Sequence, residues 1–160
     1  MKQRVVSLSD FGPAENMSLI EADIPTPGNG QIVVKNNAIG LNYLDTYFRS
    51  GLYPWPNNND IKIPGSEGVG YIHAVGSDVS DFKEGDRVSY VTPVGAYAEY
   101  AIINAAHAAK INVEVEDHDV VACTLKGLTT HYLLHLTTKV TPGMTTLVLS
   151  LIHISEPTRP

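Results

Sequence analysis

Only one cysteine, Cys123, occurs in the 160 residues, so no internal disulfide can form and no four-cysteine zinc site can be built. A reducing compartment, the cytoplasm, is the expected setting. Basic residues are scarce as well: eleven Lys and Arg stand against seventeen Asp and Glu, for a net charge of −6. Nucleic acid needs a basic face and an anionic membrane needs a basic patch, so neither is an expected partner. No run approaches the roughly 18 apolar residues of a membrane span. The start, Met1-Lys2-Gln3-Arg4-Val5-Val6, lacks the apolar stretch of a signal peptide. Repeats and low-complexity segments are missing too.

What is present is globular: 43% of the residues are hydrophobic. The first two thirds are punctuated by Gly, Pro and Asn, with short β-rich runs between. Strands are expected at 5–8, 17–24, 31–39, 69–75, 87–91 and 96–103. A short helix is expected at 42–50, capped by Asn42 and ended by Gly51. This density of strands and turns predicts a barrel-like β domain. From Asp117 the spacing turns helical over 117–125 and 128–136, with Val121, Leu125, Leu128, Tyr132 and His135 near one face. Cys123 reads as a small buried residue of the first of these helices. After Pro142-Gly143, residues 145–149 read as a buried-type strand that would open a parallel sheet.

The most informative stretch is Pro64-Gly65-Ser66-Glu67-Gly68-Val69-Gly70, followed by Gly76 and Val79. It resembles the zinc alcohol dehydrogenase signature at every position except one, where Ser66 replaces the ligating His. The stretch from Ala38 to Pro54, Ala-Ile-Gly-Leu-Asn-Tyr-Leu-Asp-Thr-Tyr-Phe-Arg-Ser-Gly-Leu-Tyr-Pro, resembles the quinone oxidoreductase (ζ-crystallin-like) branch of the medium-chain dehydrogenases. So do Lys126-Gly127-Leu128-Thr129-Thr130-His131-Tyr132 and the turn Gly85-Asp86-Arg87-Val88. In zinc members a Cys occupies the position of Asn42. The resemblance implies a mainly β, GroES-like catalytic domain over 1–125. The start of a Rossmann dinucleotide-binding domain follows over 126–149.

Ligand counting bears on the metal. A catalytic zinc needs three protein ligands and an open position. Asn42 and Ser66 are poor ligands, and Glu67 alone cannot hold the ion, so no metal site is expected. His131 and His135 have a two-His spacing, but no acidic residue accompanies them. Without zinc, a carbonyl must be polarised by hydrogen-bond donors. The resemblance places Asn42, Tyr47 and Tyr53 at the catalytic end of the cleft. It also implies that Asn42, Tyr43, Asp45, Thr46, Lys126, Thr129 and Tyr132 face the cofactor. Packing is the competing role for each Tyr, and helix-dipole complementarity for Asp45. Glu67 is expected to accept hydrogen bonds structurally.

The implied activity is transfer of hydride from NADPH to quinones or α,β-unsaturated carbonyls by a homodimeric parent enzyme. The resemblance breaks at 150–160, where no glycine follows and Pro157 and Pro160 oppose a helix. That segment is expected to be a non-native tail, and the chain an inactive fragment. A non-catalytic GroES-like binding module and a zinc-dependent alcohol dehydrogenase relative are the alternatives.

Overall fold

A computed structural model describes residues 1–147. Among the described residues, seven strands and two α-helices follow one another in the order β1 (Lys2–Leu8), β2 (Met17–Asp23), β3 (Gln31–Gly40), α1 (Tyr43–Ser50), β4 (Glu67–Val75), β5 (Arg87–Val91), β6 (Tyr100–Asn104), β7 (Ala108–Lys110) and α2 (Asp117–His131). Every pairing is antiparallel. β1 and β2 form a two-stranded ribbon, and the remaining five strands form one sheet in the order β6-β3-β4-β5-β7. The ribbon joins the rest through isolated bridges from Val5 to Ala98 and from Leu8 to Lys62.

β-branched residues explain the sheet. Ile32, Val34, Ile72 and Val88 place one face of β3, β4 and β5 in a core completed by Tyr90, Ala96, Ala101 and Ile103. Removing such side chains from water is worth about 1.5–3 kcal/mol each. Tyr90 lies within this core and satisfies its hydroxyl by donating to Asn36 Oδ1 at 3.0 Å. Burial pushes the Tyr90 phenol well above its ordinary range. Gly70 lets β4 approach β3 closely, since a Cβ there would stand 2.0 Å from the Lys35 carbonyl oxygen. The motif glycine is therefore a packing requirement.

The expected strands match closely, except that the run at 96–103 narrows to Tyr100–Asn104. Residues 96–98 instead turn, with Ala98 N–H donating to the Ala96 carbonyl at 2.8 Å. Two helices were expected at 117–125 and 128–136. The chain instead forms the single α2, followed by a π-helical turn over Tyr132–Thr137. Gly127 does not interrupt α2. Thr145 to Leu147 form no strand, and the remainder of the strand expected at 145–149, like the tail at 150–160, lies outside the described residues.

The chain divides into two compact units, Met1–Leu128 and Thr129–Pro160. In the first, Asp117, Val120, Val121, Thr124 and Leu125 form the covered stripe of α2, at helical spacing. Cys123 lies off this stripe and is exposed, so the expected burial is corrected. Its small apolar side chain gave no sign of which face it would take. In the second unit Tyr132, Leu133 and Leu136 are exposed, as is Leu128 at the end of the first. No helix among the described residues is long and apolar enough to cross a membrane.

Candidate active site

α1 starts where the sequence places its cap. Asn42 has extended backbone angles (φ −128°, ψ 148°), and Gly51 closes the helix in the left-handed region at φ 78°. Asn42 and Asp45 form a capping box: Asp45 accepts a hydrogen bond from the Asn42 backbone N–H at 2.9 Å, and the Asn42 side chain faces the Asp45 backbone N–H. The Asn42 amide also reaches beyond the helix.

Its partner is Glu67, at the first position of β4. This carboxylate is 0% exposed. Gly40 makes room for it, because a Cβ there would lie 2.3 Å from Oε1. Glu67 Oε1 accepts from Asn42 Nδ2 at 2.8 Å and from Lys126 Nζ at 2.7 Å. Oε2 accepts from the Leu125 backbone N–H at 2.7 Å. Lys126 Nζ also donates to Asn42 Oδ1 at 2.8 Å, which closes a three-membered ring of side chains. Lys126 itself is 52% exposed, so only one member of the ion pair is fully desolvated.

A second buried carboxylate, Asp45, continues the network. One oxygen accepts from Ser66 Oγ in a short hydrogen bond. The other accepts from Tyr97 Oη at 2.8 Å and from Asn42 N–H. Burial and the adjacent Asp45 carboxylate together push the Tyr97 phenol well above its ordinary range. Among the described residues no buried side-chain polar atom lacks a partner.

Beside this network lies a hollow of about 210 Å³ whose lining includes Asn42, Tyr43, Asp45, Thr46 and Tyr97. Tyr97 also lines a larger open hollow, of about 380 Å³, together with Arg4, Asn36 and Ile39. The Thr46 hydroxyl donates to the Tyr43 carbonyl at 2.7 Å. Tyr47 and Tyr53 are brought together with ring centroids 5.4 Å apart, and Tyr43 packs edge-on against Tyr47 at 5.5 Å. Phe48 and Trp55 extend this aromatic group. Thr129 and Tyr132 belong to the second unit, where Tyr132 opens the π-helical turn.

The residues suit a zinc ion poorly. Asn42 and Ser66 hold protein partners, and the Lys126 ammonium stands where a dication would meet it at close range. No group of three His, Cys, Asp or Glu side chains is arranged for a metal among the described residues.

The alcohol dehydrogenase GroES-like domain family matches residues 28–113. A quinone oxidoreductase of Pseudomonas aeruginosa is 42% identical over 89% of the chain, which covers 40% of that protein. The chain belongs to the alcohol dehydrogenase GroES-like family, in its quinone oxidoreductase branch. The matched residues lie within the mainly β first unit. A 2-haloacrylate reductase of a Burkholderia species is 36% identical over 82% of the chain and 41% of that protein. The crystal structure of Escherichia coli quinone oxidoreductase complexed with NADPH superposes with a TM-score of 0.77 at 34% identity, over 89% of this chain and 43% of that one. The chain thus spans about 40% of the length of the curated relatives it matches.

Tyr97 and the Asp45–Ser66 contact were not foreseen as parts of the site. Tyr97 sits in Gly95-Ala96-Tyr97-Ala98, which reads as a weak strand. A contact across 52 residues leaves no local pattern.

Proposed function

We propose that this chain forms the substrate-binding end of an NADPH-dependent enzyme that reduces quinones and α,β-unsaturated carbonyls without zinc. The observation that carries this reading is the Lys126–Asn42–Glu67 ring, which gives the signature's Glu67 an ammonium and an amide as partners. The names of the quinone oxidoreductase and 2-haloacrylate reductase relatives, and the NADPH complex of the Escherichia coli enzyme, support the substrate and cofactor classes.

The hollow beside Asn42, Tyr43 and Thr46 is the place for the nicotinamide end of a dinucleotide in this reading. NADPH, when bound, supplies the hydride. Asn42 then orients the ring or ribose, with Tyr43 and Thr46 lining the hollow beside it. Asp45 serves by position, because both of its oxygens take protein donors. Tyr47 and Tyr53 offer phenolic donors that hold the quinone oxygen and deliver a proton to it. Lys126 extends the contact along the cofactor. A homodimer in the cytoplasm completes the reading, and the exposed thiol of Cys123 suits a reducing compartment.

The test is a titration of the ¹⁵N-labelled chain with 1,4-naphthoquinone and with reduced nicotinamide mononucleotide. Shifts are expected at Asn42, Tyr43, Tyr47, Tyr53 and Lys126. Shifts confined to other residues, or stoichiometric zinc in the purified chain, overturn the reading. Sedimentation of the parent enzyme checks the dimer.

A further inference from the structure

We infer that Lys126 is a positioning residue whose ammonium fixes the orientation of the Asn42 amide and so sets which donor and acceptor the hollow presents. The inference deepens the functional reading above and rests on it for the identity of the ligand.

An Asn amide can sit in two orientations that differ by exchange of its oxygen and nitrogen. Here the two ends meet opposite chemistry. Nδ2 faces the Glu67 carboxylate at 2.8 Å, and Oδ1 faces the Lys126 ammonium at 2.8 Å. Reversal would set oxygen against carboxylate and NH₂ against ammonium, so both contacts would turn repulsive. Glu67 cannot select the orientation alone without first being held in place. It is held by the Leu125 N–H and by Lys126 at 2.7 Å each. The ammonium therefore acts twice, directly on Oδ1 and through the carboxylate on Nδ2. A charge-assisted hydrogen bond is about twice as strong as a neutral one, which suits this task.

The ring is built from three separate elements: the cap of α1, the first residue of β4 and the half-exposed Lys126 of α2, next to Leu125 on its covered stripe. Removing the ammonium need not detach α2. Leu125 N–H still reaches Glu67, Val121 remains buried, and Arg87 still pairs with Asp117 at 2.6 Å. This makes Lys126→Met a fair test of orientation as distinct from folding.

The experiment compares Lys126→Met and Lys126→Arg with the unaltered chain. The first readout is the side-chain amide pair of Asn42 in ¹⁵N spectra. In the unaltered chain these two protons are expected to be distinct and slow to exchange with solvent. Lys126→Met should speed their exchange roughly tenfold, the equivalent of one lost charge-assisted bond, while backbone signals of β3 and β4 stay in place. Lys126→Arg should restore most of the protection. The second readout is affinity for reduced nicotinamide mononucleotide, expected to fall by a similar factor in Lys126→Met and to recover in Lys126→Arg. Unchanged Asn42 amide exchange in Lys126→Met overturns the inference. Should the unaltered chain bind neither probe, the functional reading fails, and the amide exchange alone decides the role of Lys126.

Discussion

Around Glu67, a fully buried carboxylate meets an ammonium and a backbone N–H, both carried in by α2. Around Asp45, a carboxylate only 6% exposed meets a serine hydroxyl, a phenol and a backbone N–H, with no cation in direct hydrogen-bond contact. The difference concerns what each end depends on. The Asp45 end is completed by neutral donors of the β domain and of α1 itself. The Glu67 end depends on a helix that lies outside the sheet. One end is a fixed base for the site, and the other couples it to α2.

The largest effect is expected from Glu67→Ala. It removes the acceptor for three donors and should cost about 3 kcal/mol in urea denaturation. The half-exposed Lys126 can return to water, which keeps the loss at the lower end of what a broken buried pair costs. A loss near zero would show that the two ends are not distinct. Asp45→Asn should cost about 2 kcal/mol, because its new NH₂ group faces donors where the carboxylate accepted. An equal or larger cost than Glu67→Ala would reverse the ranking.

Tyr97→Phe should cost about 1 kcal/mol at neutral pH. Its pH dependence is more telling. The folded phenol titrates above its unfolded value, so its contribution is fully present below about pH 10 and is lost as pH rises beyond that. The melting temperature of Tyr97→Phe should therefore fall less steeply between about pH 9 and pH 11 than that of the unaltered chain. Tyr90, whose phenol is raised by burial in the same direction, contributes to the residual slope. Parallel curves would remove Tyr97 from the Asp45 end. The smallest effect concerns the uncovered side of α2. Cys123→Ser should change stability by under about 0.5 kcal/mol. The native thiol should react with a disulfide reagent without denaturant, and protection would show that α2 presents a different face.

These two ends were unequally legible in the sequence. Asn42, Gly51 and the eight residues between Asn42 and Gly51 announce a capped helix, and they form one. The Glu67 end was partly visible through the resemblance, which brought Asn42 and Lys126 into one cleft and gave Glu67 the role of a structural hydrogen-bond acceptor. The resemblance did not show that the amide, besides its place in the capping box, would face a carboxylate and an ammonium. The Asp45 end was almost invisible. Asp45 was expected to face the cofactor, with helix-dipole complementarity as its competing role, and Ser66 stood where a ligand was missing. Each gained its role from a partner 21 residues away in the chain. Periodicity marked α2 as amphipathic over too long a stretch. Val121 and Leu125 lie on the covered stripe, whereas Leu128 and Tyr132 are exposed. Apolar spacing alone carries no information on where cover stops.

The ring that joins Asn42, Glu67 and Lys126 spans pairs 25, 59 and 84 residues apart. Chain entropy makes such closures late events, since nearer contacts form at lower cost. The site can therefore exist only in a chain that has already laid β4 beside β3 and docked α2. Lys126→Met should speed unfolding and leave the folding rate unchanged in stopped-flow measurements. A slowed folding rate would place the ring early instead. A half-folded chain has no binding site to offer, so ligand capture itself becomes a sign that folding is complete.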